Sequence, residues 1–321
     1  MNLVAIDIGG THARFALAEV EDGRVRALAE PVTLHTADHA TFRTAWEKFA
    51  ETLGTPRPRA VAIAIAGPVS GETIRFTNNP WMIRPASLKQ ELGVDRFTLV
   101  NDFEAVGHAV AQARNEDFAW LCGPDVPLPA TGTISIVGPG TGLGVAHIWR
   151  DGHDYRVQAT EGGHIDFAPL DSIEDALLSR LRKKYRRVSV ERVVSGPGIV
   201  EIYEALAAVE ARPVQLRDDK MIWQMGMSGE DSLSAAAVDR FCLMLGSAAG
   251  DIALAQGGSA VIIAGGLGAR IKDRLMTSGF AERFRAKGRF EAMMAALPVK
   301  LIIHPQPGLF GAAAAFAREA A

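Results

Sequence analysis

Apolar residues along this chain gather in short runs closed by glycine. Between the runs they recur every three or four positions. That alternation is the signature of buried strands exchanging with amphipathic helices. The run at 3–8 leads into Gly9-Gly10-Thr11, and a second strand departs at Ala13, so the chain opens as strand, glycine turn, strand. Residues 25–34 read as a third strand. Asp38 reads as a helix N-cap, with Phe42, Trp46, Phe49 and Leu53 at helical spacing behind it and Gly54 and Pro56 as the stop. The continuous apolar run 60–67 predicts a strand buried on both faces. Residues 97–102 predict another strand, and 103–113 the helix that follows it.

A second unit begins near residue 115. Its segment 133–150 repeats the opening pattern: displaced by 130 positions, Gly10-Thr11 falls on Gly140-Thr141, with an apolar strand on each side. Self-similarity of this kind predicts two related halves. Beyond it come the Glu-Gly-Gly-His segment at 161–164, a helix from about residue 172, and another after 195–198. A long helix lies near 232–256, a strand at 260–268 ends in paired glycines, 298–303 is a last strand, and 308–320 a closing helix. Strands alternating with helices define an α/β architecture.

Composition narrows the class. A length of 321 residues suggests about two domains. With 48% hydrophobic and 22% charged residues, the chain can bury a sizeable core, which excludes disorder, a collagen-like fibre and a coiled coil. The formal charge of -3 offers no electrostatic footprint for nucleic acid or an anionic membrane. Cys122 and Cys242 form no CxxC pair, so neither a disulfide framework nor a cysteine-rich zinc site is expected. The first apolar run is interrupted by Asp7 and lacks a basic leader, and runs such as 60–66 are too short to span a bilayer. A soluble, cytoplasmic protein is the expectation. Seven basic residues between 180 and 192 read as a solvated helix face, and Met221, Trp223, Met225 and Met227 as core or interface packing.

The chemistry concentrates in the glycine turns. No GxxxxGK[ST] occurs, neither 138–144 nor 265–268 has GxGxxG spacing, and HExxH and GxSxG are absent. Two strand-turn-strand units rich in Gly and Thr can each aim backbone N–H groups at one point, as a phosphate requires. Asp7, just before the first turn, is an oxygen ligand suited to Mg²⁺, directly or through water. Read singly, each turn is equally an ordinary hairpin connection.

Taken in order, DIGGTHARFAL (7–17), NDF (101–103), GPGTGLG (138–144), EGGHIDFAP (161–169), SVERVVSGPG (189–198) and IAGGL (263–267) closely resemble bacterial glucokinase, within the sugar kinase, Hsp70 and actin-like ATPase superfamily. The resemblance covers nearly the whole chain. It implies two actin-like (ribonuclease H-like) α/β domains flanking a cleft: a small one from 1–112 plus 304–321, and a large one from 113–303. It implies ATP and Mg²⁺ as cofactors, glucose as the sugar, and a homodimer, for which the apolar helix around 241–254 is the candidate face.

The resemblance also implies roles. Asp102 is the catalytic base, and Asn101 beside it holds sugar hydroxyls; by themselves these residues equally fit a helix cap. Glu161, His164 and Glu191 become sugar ligands, where singly they read as a loop acid, a structural histidine and a first-turn acid. Asn78, in TNNPW (77–81), matches a position near the sugar, or else a turn before Pro80. Asp7, Gly9, Gly10 and Thr11, with Gly138, Gly140, Thr141 and Gly142, correspond to two phosphate loops, and Gly265 with Gly266 to the adenosine element. The implied reaction is direct transfer of the γ-phosphate to the sugar 6-hydroxyl. The rival readings are a kinase for another hexose, a non-catalytic sugar sensor, and an ATPase module working on protein partners. The cysteine-rich zinc motif of one related kinase branch is missing, and the chain starts directly at the first phosphate strand, with no helix-turn-helix before it.

Overall fold

The first apolar run forms β1 (Asn2–Ile8), the centre of a sheet in a computed structural model that describes residues 1–53, 56–76, 79–152 and 154–320. The chain divides into two compact units, one holding Met1–Arg114 with the stretch from His304 onward, the other Asn115–Ile303.

In the first unit, β1 is followed by β2 (His12–Glu21), β3 (Arg24–Leu28), β4 (Val32–His35), α1 (Phe42–Thr52) and β5 (Ala60–Ile65). Then come β6 (Ile74–Arg75), β7 (Met82–Ile83), α2 (Pro85–Leu92), β8 (Arg96–Asn101) and α3 (Asp102–Gln112). The sheet runs β3-β2-β1-β5-β8, with β4 also paired to β2. β1 and β2 are antiparallel, whereas β1, β5 and β8 are parallel. Side chains alternate across it. Val4, Ile6, Ile8 and Phe15 face Phe42, Trp46 and Phe49 of α1 and Leu88 of α2. Leu3, Ala5, Ala16, Ala62 and Ala64 face the other way, against Ala105 of α3 and the last helix. Alanines on that face let a helix lie close to the sheet.

The second unit contains β9 (Phe118–Cys122), β10 (Thr131–Pro139), β11 (Leu143–Asp151), β12 (Asp154–Thr160), α4 (Ser172–Arg182), α5 (Gly198–Val209), α6 (Asp219–Ser228) and α7 (Ser232–Gln256). It continues with β13 (Gly258–Ile263), α8 (Gly265–Arg270), α9 (Lys272–Thr277), α10 (Phe280–Arg285), α11 (Glu291–Ala295) and β14 (Val299–Ile302). The closing α12 (Pro307–Ala320) returns to the first unit. The strand order β12-β11-β10-β13-β14-β9 repeats the order of the first sheet through its first five strands, antiparallel pairing at the opening hairpin included. The displacement of 130 residues therefore marks a structural repeat.

Several expectations need correction. Residues 25–34 form two strands, β3 and β4, and Pro31, which has no N–H to donate, lies in the gap between them. The cap of α1 is Thr41, whose hydroxyl accepts from Thr44 N–H; Asp38 lies in a preceding 3-10 turn. Gly54 lies outside the described residues. The paired glycines at 265–266 open a helix instead of ending a strand. The basic run leaves its helix at Arg182, and Arg180, Lys184 and Arg187 pair with Glu204, Glu201 and Asp166. α7 is buried along its length, with Phe241, Leu245, Ala249 and Ile252 in the core of its own unit. Among the described residues, no helix is long and apolar enough to cross a membrane.

Candidate active site

In the first unit the site grows from the carboxyl ends of parallel strands, where open α/β sheets commonly place ligands. β1 delivers Asp7, and the turn Gly9-Gly10-Thr11 follows. Gly9 N–H donates to His12 O at 2.9 Å, closing the turn. Thr36 braces it from the side: its N–H donates to Thr11 O and its hydroxyl to Gly10 O, both at 2.9 Å. The amide of Asn79 reaches Gly9 O at 3.4 Å. Asp7 stands opposite Arg14 across the β1–β2 pair, with Arg14 Nη1 3.4 Å from its Oδ2. The Asp7 carboxylate lies against Gly308, where any Cβ would come within 2.8 Å of Oδ2. Burial pushes the Asp7 carboxyl above the usual range, and Arg14 opposes that shift.

β8 delivers Asn101 and Asp102. Asn101 caps α3, accepting from Phe103 N–H at 2.9 Å and Glu104 N–H at 3.3 Å, while its own amide donates to Gly67 O at 3.0 Å. Asp102 is the first residue of α3, and its Oδ1 accepts from Phe103 N–H at 3.0 Å. Its carboxyl is pushed up to about 6, chiefly by burial; the Phe103 hydrogen bond opposes the shift and the negative charge of Asp7 adds to it. A carboxyl in that range is mostly ionised at neutral pH yet more basic than an ordinary carboxylate, which suits proton acceptance. Capping and a chemically poised acid thus occupy adjacent positions, Asn101 and Asp102.

The second unit brings the remaining candidates together. The turn Gly140-Thr141-Gly142 joins β10 to β11, with Gly138 opposite Gly144 and Gly140 N–H donating to Gly142 O at 2.8 Å. Glu191 reaches this turn from a 3-10 segment: its Oε2 accepts from Leu143 N–H at 2.9 Å. A Cβ at Gly142 would collide with that carboxylate, so a larger residue there would push Glu191 away from Leu143 N–H. The 3-10 turn Gly162-Gly163-His164 packs on Val145 and Leu143 of β11. It holds His164 Nε2 3.8 Å from Glu191 Oε1 and 3.8 Å from Glu161 Oε2. Glu161 is 86% exposed and Glu191 30%, so this trio presents acceptors to solvent. Gly265 has φ +83 and abuts Pro139 O, which sets the start of α8 against the phosphate-type turn, and Gly266 beside it faces open space. Asn78 lies outside the described residues.

Sequence reading passed over four residues here: Arg14, Thr36, Asn79 and Trp223. Arg14 lies inside a quoted motif, and the β1–β2 register would have set it opposite Asp7. Trp223 of α6, taken as packing, donates its indole N–H to Gly196 O at 2.9 Å, and Gly196 N–H donates to Gly140 O at 2.7 Å. Arg270, at the end of α8, stacks over the Trp223 ring at 5.6 Å. A relay therefore links the turn after β10 to the helix that opens with Gly265. Nothing in residue spacing signals that relay.

As to cations, no group of three or more His, Cys, Asp or Glu side chains gathers in metal-binding geometry among the described residues. A lone carboxylate beside a phosphate-type turn fits Mg²⁺, which keeps several waters and is held by one or two carboxylates plus substrate phosphates. Asp7 is such a carboxylate.

Two sheets of one strand order, each opening with a Gly-Thr turn between antiparallel strands, define an actin-like, ribonuclease H-like α/β enzyme. A family model described as glucokinase matches residues 3–319, and the chain belongs to the glucokinase family. Glucokinase of Zymomonas mobilis subsp. mobilis is 59% identical over 319 residues, spanning 99% of this chain and 98% of its own. The crystal structure of glucokinase from an Antarctic psychrotroph shares 33% identity and superposes with a TM-score of 0.88 over 98% of each chain. A ROK family glucokinase from Streptomyces griseus, in complex with glucose and AMPPNP, has a TM-score of 0.62 and covers 99% of this chain and 100% of its own; at 19% identity it shares the fold.

Proposed function

We propose that this chain transfers the γ-phosphate of ATP to the 6-hydroxyl of D-glucose, giving glucose 6-phosphate and ADP. The two compact units act as the two domains of the kinase. The observation that carries the reading is Asp102: a carboxylate at the end of a parallel strand, next to the cap of α3, with its pKa lifted to about 6. Phosphoryl transfer needs little covalent chemistry from the protein. It needs positioning, charge stabilisation and a base for the attacking hydroxyl.

Asp102 takes the proton of the 6-hydroxyl as the new P–O bond forms, and ADP leaves as the β–γ bridge breaks. Asn101 donates to a sugar hydroxyl, and Glu161, His164 and Glu191 hold further hydroxyls by paired hydrogen bonds. A neutral, hydroxyl-rich ligand is matched by such a set, whereas a protein-partnered ATPase has no use for it. The turns at 9–11 and 138–142 aim N–H groups and threonine hydroxyls at the phosphates. Gly266, which faces open space, leaves room for the adenosine, and Gly265 lets α8 start close against Pro139. Mg²⁺, held by Asp7 directly or through water, would neutralise phosphate charge. The enzyme is expected in the cytoplasm.

ADP release from Mg-ATP tests this with glucose, fructose, mannose, N-acetylglucosamine and no sugar, beside the Asp102→Ala variant. The expected result is strong turnover with glucose, little with the others, and loss in the variant. Turnover confined to another sugar would overturn the glucose assignment; folded protein that binds nucleotide without sugar-dependent turnover would overturn the kinase reading.

A further inference from the structure

Two imidazoles beside the first glycine turn have no part in the proposed chemistry. His12 opens β2 and His35 closes β4, and the two stand directly opposite in the antiparallel register. The neighbouring pair, Thr11 with Thr36, is hydrogen-bonded, since Thr36 N–H donates to Thr11 O at 2.9 Å. Hydrogen-bonded and non-hydrogen-bonded pairs alternate along an antiparallel ladder. His12 and His35 therefore form a non-hydrogen-bonded pair, the kind whose side chains come closest. Their ring centroids are 4.5 Å apart, with an interplanar angle of 47°. Among the described residues, no ring nitrogen of either histidine makes a hydrogen bond or an ion pair. His35 is exposed and His12 partly so, which leaves the nitrogens open to solvent. The nearest cation on the same face of β2, Arg14, is engaged with Asp7.

We propose that His12 and His35 form a two-imidazole site for a borderline divalent transition-metal ion of the Zn²⁺, Ni²⁺ and Cu²⁺ class, completed by water. Imidazole selects these ions, while Mg²⁺ prefers oxygen. Both ligands sit on paired strands, so little conformational freedom is lost on binding. Thr36, next to His35, also holds Gly10 and Thr11. An ion shared by the two rings would brace β4, which leads into Thr36, against the strand leaving the glycine turn.

The test uses the full chain stripped of metal, without nucleotide, titrated with Ni²⁺ at pH 8 by calorimetry. His35→Gln and His39→Gln are titrated in parallel; His39 is four residues away and hydrogen-bonds through its backbone, its N–H donating to Thr36 O and its carbonyl accepting from the Trp81 indole. Wild type and His39→Gln should bind alike, and His35→Gln should bind about tenfold more weakly or worse, the scale seen when a metal site loses a supporting group. Absence of binding to wild type, unchanged binding in His35→Gln, or an equal loss in His39→Gln would overturn the proposal. The readout is independent of turnover, so its failure is distinct from failure of the kinase reading.

Discussion

Behind the glycine turn after β1 stand acids, and behind the matching turn after β10 stands a hydrogen-bond relay. The first adjoins Asp7 and belongs to the unit that holds Asp102, two carboxylates that burial pushes upward. The second is held by Glu191 through Leu143 N–H and by Trp223 through Gly196. One strand frame, used twice, thus carries two kinds of chemistry. Under the proposed function, the first unit serves charge and proton transfer. The second would offer Glu161, His164 and Glu191 for hydroxyl recognition, with Glu191 tied to the turn itself. Repetition of the fold sets where the backbone donors lie, and the residues behind each turn decide its task.

Substitutions should separate the two halves. Asp102→Ala should lower kcat about 10²–10⁴-fold, the usual share of general-base catalysis, with circular dichroism unchanged. A comparable fall in kcat from Glu191→Gln would break the division of labour. That variant should act instead on binding, since hydrogen bonds to charged groups contribute roughly 1.5–3 kcal/mol. Steady-state kinetics should therefore show the KM for glucose rising about 10–100-fold, with a smaller rise for ATP because Glu191 also holds the turn. Trp223→Phe keeps an aromatic ring against Phe241 but leaves Gly196 O without its donor. One neutral hydrogen bond is worth about 1 kcal/mol, so the KM for ATP should rise about five-fold with the KM for glucose nearly constant. An equal rise in both would mean that Trp223 supports the unit as a whole rather than the turn.

The smallest expected effect is on stability. A carboxyl whose folded pKa lies above its unfolded value favours the folded state when protonated, and that contribution is lost as pH rises through the folded pKa. For Asp102 the window lies between the ordinary value of 3.8 and about 6. Asp102→Asn, neutral at every pH, should therefore melt above wild type at pH 8, with the gain shrinking below pH 6. An unchanged melting temperature at pH 8 would contradict the buried placement of that charge.

Much of this arrangement was legible in the sequence. The apolar runs predicted β1, β5, β8 and β13, and the long apolar stretch placed a helix near the observed α7, because each has a clear apolar pattern and glycine punctuation. The repeat of Gly10-Thr11 at Gly140-Thr141 predicted two like sheets. What escaped depends on side chains reaching across the fold. Pro31 splits a strand that composition alone would continue. Trp223 looks like any core aromatic until its N–H meets Gly196. His12 and His35 become neighbours only through the β2–β4 register, 23 residues apart in the chain. The shift at Asp102 arises from burial and from Asp7, and neither is encoded in its own motif.

The central claim is that Asp102 is the base, and the pH dependence of kcat/KM for glucose tests it most directly, because that ratio reports the free enzyme. The account predicts an acid limb with unit slope and an apparent pKa of about 6 in wild type, absent from the residual activity of Asp102→Asn. Full activity in Asp102→Asn, or the same limb retained in it, would assign the proton to another group.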